Sequence, residues 1–356
     1  MKEADPDLIE RLPNGKIRCN VCEVRCALKE GERGFCRTRL VENGKLYTLI
    51  YGTSSGACAD PIEKKPLYHF HPGSNVLSAG TMGCNFHCSG CQNWHISHED
   101  PQKEGDGLFR FSPEDSVRQS LQTNCAGIAW TYNEPAIWFE HTYDTAVLAK
   151  EKGLYTVYVT NGYSTPEALD KIGPYLDAFR VDIKGFSRRT YKKISGIGKW
   201  EPILTTTKRA KEKWGMHVEC VTNVTPTLND SPEELREIAT WIHDSLGPQT
   251  PWHVTRFHPH LELSHLPPTP MNTLKRTFEI GKEAGLHHVY VGNVPGHEGQ
   301  DTHCPTCGKV LVERNGFGIT GASIADGKCP DCSTAIYGVW PKKVKASSGR
   351  LFRVGF

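Results

Sequence analysis

Three cysteines in Gly83-Cys84-Asn85-Phe86-His87-Cys88-Ser89-Gly90-Cys91-Gln92-Asn93-Trp94 have a C-x3-C-x2-C spacing that lets their thiolates turn toward one centre. Four-iron clusters are usually held by four thiolates, so three protein sulfurs leave one iron open. An open metal position is where a substrate or cofactor binds, as in catalytic rather than structural zinc sites. The same spacing suits a closed zinc site that borrows His87 or His95, because spacing alone does not name the metal.

Two further cysteine sets flank this one. Cys19, Cys22, Cys26 and Cys36 put four thiolates in a short glycine-containing segment. They suit zinc or a second iron–sulfur cluster; zinc is slightly favoured as the commoner structural use, and the sequence leaves both open. Farther along, Cys304-Pro305-Thr306-Cys307 and Cys329-Pro330-Asp331-Cys332 form two C-P-x-C knuckles with 21 residues between Cys307 and Cys329. That is a zinc-ribbon pattern, although iron in a rubredoxin-like site uses the same ligands. Of fourteen cysteines only Cys58, Cys125 and Cys220 fall outside the three sets, and these read as ordinary thiols. Clustering of this kind argues for metals over disulfides.

The elements that must position these residues alternate from about residue 75 to 293. Strands are expected at 75–81, 127–132, 155–160, 178–183, 217–222, 253–257 and 288–291. The intervening helices open at Ser112-Pro113, Thr165-Pro166, Glu201-Pro202, Ser231-Pro232 and Pro270-Met271. Strand–helix repeats with short links predict an α/β fold with a parallel sheet covered by helices. Six or seven units are too few for a complete eight-fold barrel. They suit a curved, partly open (β/α)6-type barrel, with a doubly wound sheet as the alternative. The expected organisation is an N-terminal Cys-rich segment and connector (1–70), the partial barrel (71–300) and a zinc-ribbon-like module (301–356). Asp60-Pro61-Ile62-Glu63-Lys64-Lys65-Pro66-Leu67-Tyr68-His69-Phe70 reads as an irregular connector with no chemistry of its own.

In such folds chemistry gathers at the carboxyl ends of the strands. The first strand leads to Cys84, the second to Asn133-Glu134-Pro135, the third to Thr160-Asn161-Gly162 and the fourth to Asp182-Ile183-Lys184. The last three lead to Thr222-Asn223, Arg256-Phe257-His258 and Gly292-Asn293. Some of these would serve as helix caps or turns. All seven as caps would be unusual, and the convergence argues for an enzyme.

With 42 Lys and Arg against 40 Asp and Glu, the net charge is +2, which provides no global field for nucleic acid or anionic lipid. No apolar run approaches the roughly 18–20 residues that span a bilayer. The polar Met1–Pro6 start is unlike a signal peptide, so a cytoplasmic location is expected.

The C-x3-C-x2-C loop resembles the cluster motif of radical S-adenosylmethionine (radical SAM) enzymes. The resemblance extends further, through the four-cysteine segment, DPIEKKPLYHF, GTMGCNFHCSGCQNW, TYNEP, TNGY, DIKGF, VGNVPG and CPTCG…CPDC. Together these resemble the radical enzymes of the AmmeMemoRadiSam system, which are similar to pyruvate formate-lyase activating enzymes. The resemblance implies a [4Fe-4S] cluster on Cys84, Cys88 and Cys91 and S-adenosylmethionine as cofactor or cosubstrate. It also implies reductive cleavage to a 5′-deoxyadenosyl radical that takes hydrogen from a substrate it does not identify. Glu134, within Thr131-Tyr132-Asn133-Glu134-Pro135, would hold the methionine amino group. Asn133, Asn161 and Asp182 would bind nearby parts of the cofactor, and Lys184 would contact its carboxylate or simply pair with Asp182. A flavodoxin- or ferredoxin-like electron donor and the Memo-like and AMMECR-like proteins of the system are the implied partners. One departure stands out: an aromatic residue often precedes the third cysteine, and here Gly90 does, leaving Phe86 or Trp94 to supply a ring face.

Three other readings compete. A glycyl-radical activase often carries a ferredoxin-like insert after the motif, whereas this chain has no cysteine between Cys91 and Cys125. A non-catalytic multi-zinc scaffold would not require TYNEP or a polar rim. An electron-transfer protein would need no cofactor pocket.

Overall fold

The computed structural model describes residues 1–102 and 107–353. Its centre is a nine-stranded sheet. β1 (Gly56–Pro61) runs antiparallel to β2 (Asn75–Gly80). From β2 onward seven strands are parallel and lie in chain order: β3 (Gly127–Trp130), β4 (Tyr155–Thr160), β5 (Ala178–Asp182), β6 (His217–Val224), β7 (Trp252–Arg256) and β8 (Val289–Gly292). Phe352–Arg353 pairs with the other edge of β1. Among the described residues β8 ladders only with β7, so hydrogen bonding leaves the sheet open rather than closing it into a barrel.

The predicted strands are present within a residue or two of their expected ends. β4 (Tyr-Thr-Val-Tyr-Val-Thr) is buried at every position, as a parallel strand covered on both faces must be, and its β-branched residues suit that environment. The helix Pro113–Gln122 starts as the sequence dictates. The Ser112 hydroxyl accepts from the Asp115 amide at 3.1 Å, and the Asp115 carboxylate accepts from the Ser112 amide at 2.9 Å. This reciprocal cap satisfies two otherwise orphaned donors. Thr165 and Ser231 cap the helices Pro166–Ile172 and Pro232–Trp241 in the same position.

The two faces of the sheet are packed differently. One face lays Ile128, Tyr158, Phe179, Val218 and Val254 against helical residues such as Ala146, Ile203, Leu235 and Leu274 in the main core. On the other face, Val76, Ala129, Val157 and Ala178 pack against Ile62, Leu67 and Phe70. The segment after β1, expected to be an irregular connector, is therefore a buried plug against the inner face. Asp60 and Pro61 belong to β1, and the prolines at 61 and 66 end the strand and bend the chain inward. Its charges are neutralised there: Asp60 takes Lys65 at 2.6 Å and Lys64 at 3.1 Å, and the Tyr132 hydroxyl donates to it at 3.0 Å. Deeper in, buried Glu219 accepts from the Tyr68 and His69 amides and faces His217 at 2.9 Å and His253 at 2.6 Å.

The C-terminal cysteines stand on a three-stranded antiparallel unit, Thr302–His303, Val310–Asn315 and Gly318–Ala322, with its own small core around Leu311, Ile319 and Ile336. This unit docks on the plug. Buried Arg314 donates to the Tyr68 carbonyl at 3.0 Å and lies over the Tyr68 ring, and His69 Nδ1 meets the Tyr337 carbonyl at 2.6 Å. No described helix is long and apolar enough to cross a membrane.

Candidate active site

The C-x3-C-x2-C loop leaves β2 at the edge where all seven parallel strands end. Asn133, two residues after its strand-end neighbour Thr131, ties this loop down. Its Oδ1 accepts from the Thr81 amide at 3.1 Å, and its Nδ2 donates to the Gly83 carbonyl at 2.7 Å. Gly83 has a φ of +84°, and a Cβ there would meet the Cys36 carbonyl oxygen and the Thr38 methyl, each at 2.6 Å. Both the conformation and the close approach require glycine. On its other side the loop hangs from the end of the helix Arg188–Ser195. The His87 amide donates to the Ser195 carbonyl at 3.3 Å and the Ser89 amide to the Ile194 carbonyl at 3.0 Å. Those carbonyls have no partner within the helix, and the cysteine loop supplies one.

Cys84 is buried, while Cys88 and Cys91 are half-buried. Burial pushes the Cys84 thiol well above its ordinary value, with Cys88, Glu134 and Cys91 adding to the effect. The Cys88 thiol is also raised by burial, against an opposing pull from Lys184. Of the two histidines that a closed zinc site here would borrow, His87 stacks on Phe35 with ring centroids 4.3 Å apart.

Glu134 is buried directly behind the loop. Its Oε1 accepts from the Ala136 amide at 3.0 Å and the Thr160 hydroxyl at 2.7 Å, and its Oε2 from the Asn161 amide at 2.7 Å. Three of the four lone-pair directions of the carboxylate are thus used. Burial pushes this carboxyl up to about 7, and no cation pairs with it among the described residues. Asn161 completes the wall: its Nδ2 donates to Asn85 Oδ1 at 2.7 Å, and its Oδ1 accepts from the Tyr163 amide at 3.0 Å. The Asn85 Nδ2 and Thr81 Oγ1 atoms are buried without a hydrogen-bond partner. Leaving such groups unpaired is costly, and both can still form a hydrogen bond with a water or a bound molecule.

Asp182 and Lys184 pair with each other at 2.8 Å, and Arg180 also bonds to Asp182. Burial favours the neutral acid, but Arg180 and Lys184 outweigh it and hold Asp182 at about 2. Asn223 and Asn293 serve the sheet itself: Asn223 donates to the Thr255 hydroxyl at 3.0 Å and Asn293 to the Arg256 carbonyl at 3.0 Å. His258 is exposed.

Gly90 is where it is because its place is filled. A Cβ there would meet Leu263 Cδ1 at 2.9 Å and Phe257 at 3.3 Å, so a larger residue before the third cysteine would have to displace the Leu263 side chain. Phe86 is buried against Tyr163, whereas Trp94 is exposed.

Cys19, Cys22, Cys26 and Cys36 line one enclosed space together with Val24, Phe35, Arg39 and Asn85. Among the described residues only Cys304, Cys307, Cys329 and Cys332 bring their ligand atoms within 4.8 Å of one another. In that set Cys304 and Cys332 sulfurs are 3.5 Å apart and Cys307 and Cys329 sulfurs 3.6 Å. A tetrahedral ion with about 2.3 Å metal–sulfur bonds needs sulfurs about 3.8 Å apart, so this set is compatible with a metal.

Sequence reasoning missed the Asp60–Lys65–Tyr132 cluster and the Asn85–Asn161 bridge. The first had a signal in its paired lysines after an acid and between prolines. The second had none, because it joins two loops 76 residues apart.

Comparison with known proteins places these features in context. The family model of the radical SAM superfamily matches residues 79–242, from the end of β2 into the helical segment after β6. An uncharacterized protein of Methanocaldococcus jannaschii is 43% identical over 92% of this chain and 97% of its own. The pyruvate formate-lyase-activating enzyme of Clostridium pasteurianum is 29% identical over 45% of this chain and 66% of its own. Among solved structures, a radical SAM methyltransferase from Sphaerobacter thermophilus aligns with a TM-score of 0.47 and 16% identity, covering 65% of this chain and 71% of that one.

Proposed function

We propose that this chain, whose residues 79–242 match the family model of the radical SAM superfamily, cleaves S-adenosylmethionine reductively and abstracts hydrogen from a substrate still to be identified. When bound, a [4Fe-4S] cluster and S-adenosylmethionine supply the electron and the 5′-deoxyadenosyl group for that chemistry. The observation that carries the reading is the setting of the cysteine loop. Three thiols leave the first parallel strand beside a buried carboxylate that has one free lone-pair direction and no cation.

In this proposal Cys84, Cys88 and Cys91 would hold the cluster. The remaining lone pair of Glu134 would accept a hydrogen bond from the methionine ammonium. That charge restores the ionised carboxylate, because an opposite charge offsets desolvation. Asn161, which is bonded to Asn85, and the unpartnered amide of Asn85 would help to orient the rest of the cofactor. Asn133 acts on the cofactor through the loop it braces. Asp182 and Lys184 form an ion pair beside Cys88, and Lys184 moderates the negative charge of the thiolates. The N-terminal segment presses on Gly83 of the cysteine loop and the C-terminal four-cysteine unit docks on the plug, and we assign zinc to the latter. A flavodoxin- or ferredoxin-like protein is the proposed donor, and Memo-like and AMMECR-like proteins are the proposed functional partners.

A second reading, activation of a glycyl-radical enzyme, draws support from the similarity to the Clostridium pasteurianum activating enzyme, which spans under half of this chain. Both readings meet the same first experiment. Anaerobically reconstituted protein is assayed with dithionite for 5′-deoxyadenosine formed from S-adenosylmethionine. Product formation is expected; its absence in protein carrying a full cluster overturns the proposal. Adding a glycyl-radical enzyme and observing its backbone radical separates the second reading from the first.

A further inference from the structure

We propose that the exposed face of the helix Arg188–Ser195 docks an acidic protein carrying a one-electron centre, and that the electron enters the cysteine loop from there. The helix reads Arg-Arg-Thr-Tyr-Lys-Lys-Ile-Ser and contains no acid. Thr190, Tyr191, Ile194 and Ser195 are buried, whereas Arg188, Arg189, Lys192 and Lys193 are all exposed. This charged face works against the helix's own stability. Arg188 with Lys192, and Arg189 with Lys193, are like-charge pairs at i,i+4 spacing, which destabilise a helix. Both arginines also stand in the first turn, where the helix dipole favours acids. A basic run is ordinarily a solvated face matched by acids, and residues 208–213 are of that kind. There Arg209 and Lys213 pair with Asp170, and Lys208 faces Glu212 at 3.6 Å. In a chain whose net charge is only +2, four cations on one short helix make a strong local positive patch.

The same helix carries the cysteine loop on its last carbonyls. The Ser89 hydroxyl donates to the Lys193 carbonyl at 2.6 Å. The Ser89 and His87 amides donate to Ile194 and Ser195, and these two residues flank Cys88. Gly196, exposed and at a φ of +74°, ends the helix beside the His87 carbonyl. Next to it half-buried His87 stacks on Phe35, which is exposed. A basic face and an aromatic side chain thus lie side by side at the cysteine loop, a combination of residue types enriched in protein interfaces.

Position selects the kind of partner. Hydrogen abstraction needs the reacting atoms in contact, so a substrate has to enter the site itself. An electron, by contrast, crosses a layer of packed chain. The exposed face of the helix is separated from the cysteines by its own buried face and by the loop backbone, which suits the second task. RNA would meet the same positive charge but would be held away from the reacting atoms. Charge selects the partner's chemistry, because an acidic surface is steered to a basic one and associates faster. The carrier is oxidised by one electron and the radical centre reduced by one, with no bond or proton exchanged.

The electron's destination rests on the proposed function, whereas the docking itself does not. Full-length, anaerobically reconstituted protein is mixed with an acidic flavodoxin and with an acidic ferredoxin, and association rates are measured. Formation of 5′-deoxyadenosine is then followed with each reduced carrier and with dithionite. The test variant is Arg188→Gln/Arg189→Gln/Lys192→Gln/Lys193→Gln, which keeps good helix formers and removes the like-charge pairs. Association at low salt should slow about 10-fold or more, and carrier-driven cleavage should fall with it. Dithionite-driven cleavage should stay unchanged, and added salt should narrow the difference by screening. Lys342→Gln/Lys343→Gln, which removes exposed charge elsewhere, should associate like the unaltered protein. An equal loss with dithionite would show that the helix merely supports the loop, and it overturns the inference. So does an unchanged association rate, failure of both carriers to bind, or preferential binding of a uridine oligonucleotide. If the variant does not fold, the unaltered protein decides, since carrier association that does not slow with salt overturns the inference as well. No 5′-deoxyadenosine with any reductant, in protein holding a full cluster, overturns the proposed function, and the association rates still decide the docking surface.

Discussion

The cysteine loop at 84–91 and the C-terminal knuckles both present cysteines at short spacings, yet the fold treats them in opposite ways. The knuckles bring four sulfurs within 4.8 Å, on a unit with its own small core, with Cys307 and Cys332 exposed. Everything such a site needs is in its own hairpins. The loop at 84–91 is held by distant parts of the chain: Asn133 after β3, the end of the helix Arg188–Ser195, and the N-terminal segment pressed on Gly83. A closed structural site supplies its own ligands and is stapled by its metal. A site that must accept a further molecule relies on its scaffold for both position and open valence.

The sharpest way to break this comparison is to remove one ligand from each region. Cys84→Ala should abolish cleavage of S-adenosylmethionine and leave the C-terminal metal in place, because one iron of a three-thiolate site loses its anchor. Retained 5′-deoxyadenosine formation would show that the loop is not the radical centre. Cys304→Ser with Cys307→Ser should do the reverse, with one metal ion lost per chain and the hairpin unit loosened toward proteolysis. The dithionite-driven cleavage should persist. If cleavage disappeared while the sheet stayed folded, the two regions would be one functional unit.

The same contrast explains what was legible in the sequence. Knuckle spacing, strand–helix alternation and the caps at Ser112, Thr165 and Ser231 are local, so composition and periodicity reveal them directly. The edge at which polar residues gather was also visible, because parallel strands put their carboxyl ends on one side. What those residues do there was less visible. The Asp182–Lys184 pair was one of two expected roles, but Asn133 braces a loop and Asn223 and Asn293 bond to neighbouring strands. Each of these partners lies across a turn or on another strand, where no spacing rule reaches. The burial of the segment 60–70 was hidden for a related reason. Its prolines and charges read as an irregular connector, and nothing local shows that Lys65, Asp60 and Tyr132 satisfy one another beneath the sheet's inner face.

That buried pair sharpens the comparison at the level of stability, since it anchors the plug on which the C-terminal unit docks and which bonds Tyr132 beyond β3. Asp60→Asn keeps the shape and leaves the Lys65 ammonium buried without its anion, which costs about 3–5 kcal/mol. Chemical denaturation should show the loss as a lower midpoint with little change in slope. Burial favours neutral Asp60, but Lys65 and Lys64 outweigh it and hold the carboxyl at about 2, below its ordinary 3.8. Its contribution is therefore complete above pH 3.8 and disappears as the pH falls through about 2. The stability difference between Asp60→Asn and the unaltered protein should narrow across that window. A constant difference would mean that the carboxylate charge does not matter there.

The smallest effect tests the finest feature of the radical site, the one lone-pair direction left open on Glu134. Glu134→Gln preserves the shape and one carbonyl oxygen but removes the charge. The Thr160 hydroxyl and the Ala136 amide can both still be served if that oxygen keeps the place of Oε1. The Asn161 amide then faces the new NH2 group, so some local strain accompanies the change. A charged hydrogen bond contributes about 1.5–3 kcal/mol, so affinity for S-adenosylmethionine should fall about 10- to 150-fold with the cluster content unchanged. The control is Thr160→Val, which removes a hydrogen bond to the same carboxylate without touching its charge. If both variants weaken binding equally, Glu134 acts only as a brace for the β4 loop. If Glu134→Gln loses affinity and Thr160→Val largely keeps it, the carboxylate meets the cofactor's ammonium directly. The radical loop would then differ from the knuckles in the feature that separates a catalytic site from a structural one, a valence left unfilled for a ligand.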